Sequence, residues 1–243
     1  MSHVLLSLQW WLITLLCWPL LLWQGKQARK LALRLPEAAG PRAGVSGDKQ
    51  LPPSRLLICG DSATAGVGVT QQDDALSGQL VRLLATQYQV QWQLEAQTGL
   101  DSNALATRLA KLNGQCFDVV VMSVGVNDVT SLCSARRFRR QLASCLQLLQ
   151  RQNGQPRVLF SAIPPMQQFN ALPAPLNYWL GLNATILNHS ANNLLKRWPN
   201  ASYVATPSKV STAMLAEDGF HPSAEGYQHW AQQLFAHSKL HGI

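Results

Sequence analysis

Leu56-Leu57-Ile58-Cys59-Gly60-Asp61-Ser62 is the stretch on which the fold reading turns. Four apolar residues in a row, with no polar alternation, describe a short strand buried on both faces, as in the middle of a parallel sheet. Gly60 and Asp61 break the run, so Ser62 stands where a buried strand opens into a loop. Outward from there the pattern alternates. Strand-like runs recur at 90–96, 119–124, 158–162 and 203–205, and helical periodicity fills 75–86, 102–112, 135–152, 176–197 and 223–237. This alternation predicts an α/β protein with a five-stranded parallel sheet covered by helices on both faces.

Open parallel sheets bind ligands beyond the carboxyl ends of their strands. Ser62 follows the first strand, Gly99 the second and Asn127 the third, while His221 lies after the last strand, so all four are assigned to one rim. Within Asp218-Gly219-Phe220-His221-Pro222 a carboxylate precedes an imidazole by three residues, close enough to orient the ring. A serine hydroxyl is a poor nucleophile until a base takes its proton, and the base works best when a third group holds it. Ser62, His221 and Asp218 supply those three parts, and the pattern reads as a serine hydrolase.

The blocks Gly60-Asp61-Ser62, Thr98-Gly99-Leu100, Gly125-Val126-Asn127-Asp128 and Asp218-Gly219-Phe220-His221-Pro222 occur in an order that resembles the GDSL, or SGNH, hydrolase superfamily over residues 55–238. The first block departs from the usual form, with Ala63 where leucine is common. The resemblance implies a three-layer α/β/α, flavodoxin-like fold and hydrolysis of an ester or thioester through a serine-bound acyl intermediate. Carried over block by block, it makes Ser62 the nucleophile, His221 the general base and Asp218 the residue orienting it. It also makes the backbone N–H groups of Ser62 and Gly99 and the side-chain amide of Asn127 the oxyanion donors. Donors preorganised where negative charge develops are each worth roughly 3 kcal/mol. Asp61 and Asp128 are expected to hydrogen-bond loop backbone and take no part in the chemistry.

At 243 residues with 47% hydrophobic and 13% charged, the chain can bury one full catalytic core and carry an extension. Val4 to Trp23 is mostly apolar, interrupted only by Ser7, Gln9 and Thr14, and is long enough to cross a hydrocarbon core. Without a basic start or a small-residue cleavage site, it reads as an uncleaved anchor over residues 1–25 rather than a signal peptide. The alternative is a shallow monotopic hairpin bent at Pro19. Residues 1–50 hold six Lys/Arg against two Asp/Glu. That excess, with Lys26, Arg29, Lys30 and Arg34 directly after the apolar span, fits an anionic membrane surface better than nucleic acid. The positive flank places the catalytic domain on the cytoplasmic side of a bacterial inner membrane. Residues 26–54 read as a basic flank and a Pro/Gly-rich tether, and 55–243 as the hydrolase domain.

Five cysteines without a C-x-x-C pair argue for reduced, buried thiols. No His/Asp/Glu set has metal-binding spacing, and neither metal nor cofactor is expected. Arg136, Arg137, Arg139 and Arg140 read as a solvated face, with anionic lipid headgroups as the next reading. His189, His229, His237 and His241 are expected at the surface or at helix ends. Residues 164–175 follow the fourth strand, and Met166, Phe169 and Leu172 either wall an apolar acyl pocket beside Ser62 or cap the core. A lipid-like or short to medium acyl ester is the expected substrate. A sugar or cell-envelope acetyl ester is the alternative, and a catalytically silent binding domain is the rival from another class.

Overall fold

Leu56, Leu57, Ile58 and Cys59 are each at most 1% exposed, because the strand they form has a helical layer on each side. The computed structural model describes residues 3–152, 154–207 and 209–239. Its strands are β1 (Ala43–Ser46), β2 (Pro53–Gly60), β3 (Gln89–Ala96), β4 (Val119–Ser123), β5 (Arg157–Ser161) and β6 (Ala201–Val204). Its helices are α1 (His3–Leu31), α2 (Leu76–Leu84), α3 (Ser102–Leu109), α4 (Val126–Thr130), α5 (Ala135–Gln152), α6 (Leu176–Leu195) and α7 (Ala224–Lys239).

The strands form one sheet in the order β1-β3-β2-β4-β5-β6, parallel throughout except for β1. Successive side chains leave a strand on opposite faces, and that period divides the core in two. Leu56, Ile58, Val119 and Val121 pack under α2 and α7 with Leu76, Leu80, Tyr227 and Leu234. Leu57, Cys59, Val120 and Met122 point the other way, into a cluster with Leu105 of α3, Phe138 and Leu142 of α5, and Leu187 of α6. A strand covered on both faces needs no polar positions, which is why its sequence does not alternate. The layers are therefore α/β/α.

Two expectations need correction. The sheet has six strands and is mixed, because Ala43–Ser46 adds an antiparallel edge to β3, with Ala43 opposite Gln93 and Ser46 opposite Val90. That strand lies inside the stretch read as a tether. Its one large apolar residue, Val45, points outward at 63% exposure, so no hydrophobic pattern announced it. It covers the otherwise open edge of β3. The rest of the stretch is also fastened to the domain: Ala39 forms a bridge with Gln71, and the buried Gln72 amide donates to the carbonyls of Ala38 (3.1 Å) and Ala65 (2.9 Å). Glu37 accepts the Thr98 amide at 2.6 Å and pairs with Arg42 at 3.1 Å.

Helix α1 packs alongside α6 rather than standing apart. Leu6 clusters with Leu182 and Ile186, Trp10 stacks on Trp179 with ring centroids 5.0–5.3 Å from its aromatic neighbours, and Leu21 is buried in the larger core. It is long and apolar enough to cross a membrane.

Candidate active site

The end of β2 sits against the end of β4 so closely that a Cβ on Gly60 would fall 2.0 Å from the Ser123 carbonyl oxygen. Only glycine fits there, and the chain then turns immediately. Ala65 and Val67 donate their amides back to the carbonyls of Asp61 (2.9 Å) and Ser62 (3.1 Å), forming a tight turn with Ser62 partly exposed at its start. Tyr227 of α7 braces this turn from beneath. Its buried hydroxyl lies 2.7 Å from both the Ala63 and the Val67 carbonyl oxygens.

The chain returns to this point 159 residues later. His221 Nε2 lies 2.9 Å from Ser62 Oγ, and His221 Nδ1 lies 2.6 Å from Asp218 Oδ2. The second carboxylate oxygen, Oδ1, accepts the amides of Phe220 and His221, both at 2.9 Å, so the loop wraps around the carboxylate it carries. Burial pushes the Asp218 carboxyl up, but the His221 ring and the two amides outweigh it and hold the group below the usual carboxylate range. Asp218 is thereby kept anionic beside the imidazole.

The other rim residues are positioned as follows. Gly99 has φ +85°, a left-handed conformation that favours glycine, in the loop after β3. Asn127, in the first turn of α4, donates one amide hydrogen to the Leu100 carbonyl at 2.8 Å and so ties the α4 start to the Gly99 loop. A primary amide has a second N–H to offer. Asp61 and Asp128 bond backbone: Asp61 Oδ1 accepts the Ala63 amide at 3.2 Å, and Asp128 accepts the Ser102 amide at 3.0 Å and its hydroxyl at 2.6 Å. Among the described residues no group of three His, Cys, Asp or Glu side chains is arranged to hold a metal ion. Cys17, Cys59, Cys116, Cys133 and Cys145 are free thiols. His229 is exposed, 3.9 Å from Glu225, whereas His241 lies outside the described residues.

Ser62 and His221 open onto an apolar cavity of ≈ 130 Å³, whose lining includes Ile163, Phe169, Val210, Met214, Leu215 and Trp230. The pocket expectation is corrected in part. Phe169 lines it, edge-on to Phe220 at 5.0 Å, but Met166 is fully buried in the core and Leu172 packs against that core. Thr206, Pro207, Val210, Met214 and Leu215 also line the cavity, and no helical or strand period in the sequence marks them. Tyr227 and Glu37 were also missed. Tyr227 has a sequence signal, since it shares the apolar face of α7 with Ala231 and Leu234.

Asp61 carries a pH prediction. Burial beside the turn after β2 raises its carboxyl to about 7, against the opposing pull of the Ala63 amide. Its folded pKa lies above the unfolded value, so the folded state binds the extra proton between about pH 4 and 7. Stability from this group is present at low pH and is lost as pH rises through 7. Asp61→Asn keeps an acceptor for Ala63 and cannot ionise. Its melting temperature relative to the native protein should therefore rise between pH 5 and pH 8, and thermal denaturation that shows a flat or falling difference would refute the assignment.

Asp218, His221 and Ser62 thus form one continuous chain of side-chain contacts. Residues 58–229 match the model of the GDSL-like lipase/acylhydrolase family, and the chain belongs to that family of ester hydrolases. A search of curated proteins returns no match. Among solved structures, the chain is similar to the lipase Lip_vut3 from a goat rumen metagenome, with TM-score 0.62 and 16% identity over 75% of this chain and 96% of that one. It is similar to the psychrotrophic esterase EstA from Pseudoalteromonas sp., with TM-score 0.60 and 17% identity over 77% and 97% of the two chains. It is similar too to Est24, a carbohydrate acetylesterase from Sinorhizobium meliloti, with TM-score 0.61 and 17% identity over 77% and 99%. At these identities the likeness is one of fold.

Proposed function

We propose that the protein hydrolyses carboxylic esters through an acyl intermediate on Ser62. The observation that carries this reading is the unbroken chain Asp218–His221–Ser62, with links of 2.6 and 2.9 Å, at the mouth of an apolar cavity. Ser62 Oγ attacks the ester carbonyl carbon as His221 Nε2 takes its proton, and Asp218 stabilises the imidazolium that forms. The charge developing on the carbonyl oxygen is met by the amides of Ser62 and Gly99 and by the free N–H of Asn127. Collapse breaks the bond to the alcohol, which leaves with the proton from His221. Water, deprotonated by the same ring, then releases the acid and restores Ser62.

The cavity supports a reading of the substrate class. An apolar cavity of about 150 Å³ holds one benzene ring, so this one takes a linear acyl group of about four to six carbons, with longer chains running out of the mouth. A fluorophosphonate probe and a series of p-nitrophenyl esters test both parts. The native protein should be labelled and Ser62→Ala should not, and rates should peak at short to medium acyl length. No labelling of the native protein sinks the enzyme reading in favour of a silent binding domain. A sharp maximum at acetyl replaces the acyl-ester reading with an O-deacetylase acting on a carbohydrate or the cell envelope.

Glu37 supplies a further prediction. It holds the Thr98 amide, one residue before Gly99, and a hydrogen bond to a charged acceptor is worth about 2 kcal/mol. Glu37→Ala should lower kcat roughly tenfold with KM little changed, since the donor acts on the transition state. Glu37→Gln, which keeps an acceptor, should recover most of the loss. Equal effects of both variants on kcat and KM would remove the role.

We also infer that α1 holds the enzyme at a membrane, with the hydrolase domain facing the cytoplasm. A C-terminal alkaline phosphatase fusion should then be inactive in a bacterial host, and strong activity would reverse the orientation.

A further inference from the structure

The apolar residues of α1 fall into two stripes at helical spacing. Leu6, Trp10, Ile13, Cys17 and Leu21 face the protein. Leu8, Trp11, Leu12, Leu15, Trp18 and Trp23 face outward, each at least 43% exposed. The inner stripe is held by polar bonds as well as packing. Trp179 Nε1 donates to Thr14 Oγ1 at 2.7 Å, Gln24 Nε2 donates to the Ala174 carbonyl at 2.7 Å, and Gln24 Oε1 accepts the Leu176 amide at 3.2 Å. Further on, Arg29 donates to the Thr130 carbonyl at 3.2 Å. Attachments therefore run from Leu6 to Arg29, roughly 35 Å of helix at 1.5 Å per residue.

A helix fastened in this way cannot also cross a bilayer. Crossing requires about 30 Å of hydrocarbon around it, which would immerse the neighbouring α6 with its Asn177, Asn183, Asn188 and Asn192 amides and the domain beneath. The outer stripe, by contrast, is fully available. Exposed apolar patches of more than roughly a few hundred Å² mark a protein or membrane contact. The charge beside the seam selects the membrane. Ala135, the first residue of α5, packs against the Leu6–Leu182–Ile186 cluster, so the exposed Arg136, Arg137, Arg139 and Arg140 emerge next to it. Arg29, Lys26 and Lys30 add charge along α1 itself. Cations flanking an apolar helix face, with tryptophans among its residues, match a leaflet carrying anionic headgroups over acyl chains.

We propose that α1 lies in the plane of one leaflet, with its inner stripe docked on α6, its outer stripe among the acyl chains and the α5 arginines on anionic headgroups. This rests on the membrane attachment inferred above and decides its form. The docking also reaches the active site, because Gln24 clamps the segment 174–176 that follows the Phe169 wall of the cavity.

The test uses the full chain with an N-terminal epitope tag, expressed in a bacterial host. Protease is added to spheroplasts and to inverted vesicles, and the tag and the hydrolase domain are followed separately. Both should be cut from the same side of the membrane. Tag and domain on opposite sides would overturn the in-plane arrangement while leaving membrane attachment intact. Recovery of the full-length protein in the soluble fraction, as a dimer that hides the α1 face, would overturn both. A second arm replaces Arg136, Arg137, Arg139 and Arg140 with glutamine. Flotation with vesicles containing anionic phosphatidylglycerol should weaken by about tenfold or more, with hydrolysis of a soluble p-nitrophenyl ester unchanged. Equal flotation of the two proteins would remove the arginines from the contact.

Discussion

Replacing Ser62 with alanine is expected to lower kcat by roughly 10⁴-fold or more, and His221→Ala by a similar factor. The reason lies in the 2.9 Å contact between Ser62 Oγ and His221 Nε2. Without the ring the hydroxyl keeps its proton and is no better a nucleophile than solvent water. Without the hydroxyl the ring has nothing to activate that can carry the acyl group. The two residues perform one step together, so the double variant should be about as slow as either single variant rather than slower by the product. Initial rates on p-nitrophenyl butyrate, with melting temperatures to establish folding, measure this directly. Multiplicative losses would mean that the two side chains act independently and would dismantle the proposed site.

Asp218→Asn is expected to cost roughly 10⁴-fold in kcat while leaving the fold intact. Its geometry fixes which way the new amide must face. Oδ1 accepts two backbone amides, from Phe220 and His221, so the asparagine oxygen must take that place. The NH₂ group then faces His221 Nδ1, where the carboxylate oxygen had stood at 2.6 Å. That nitrogen must become an acceptor, which moves the ring proton to Nε2, against Ser62 Oγ. The ring then meets the hydroxyl with a hydrogen where it needs a lone pair. Kinetics paired with a stability measurement separate this from simple damage to the loop. A variant that loses activity only in proportion to its loss of folded protein would argue against the tautomer explanation.

Much of the central sheet could be read from the chain because burial on both faces leaves a local trace. Residues 56–59 and 119–122 are unbroken apolar runs for that reason, and they form the neighbouring strands β2 and β4. β1 left no such trace. Ala43-Gly44-Val45-Ser46 pairs through its backbone with the edge of β3, and backbone pairing places no demand on side-chain type. The stretch around it looked like a tether because prolines and glycines predict irregular backbone. Whether irregular backbone is loose or fastened depends on distant partners such as Gln72 and Thr98. The cavity-lining residues Thr206, Pro207, Val210, Met214 and Leu215 were illegible for the same reason.

Ser62, Gly99, Asn127 and His221 could be placed on one rim from sequence, since each follows a strand and strands in a parallel sheet end on the same side. Residue types, their order and the strand ends are local properties, written in period and in turn residues. Distances between loops are not. Only the packed structure brings His221 to 2.9 Å from a serine 159 residues away, where Tyr227 of the following helix α7 is also bonded to the turn after β2. The same holds for α1. Its composition showed a helix that water cannot surround, and only its packing decided that one stripe is covered by α6 and the other is left for something else.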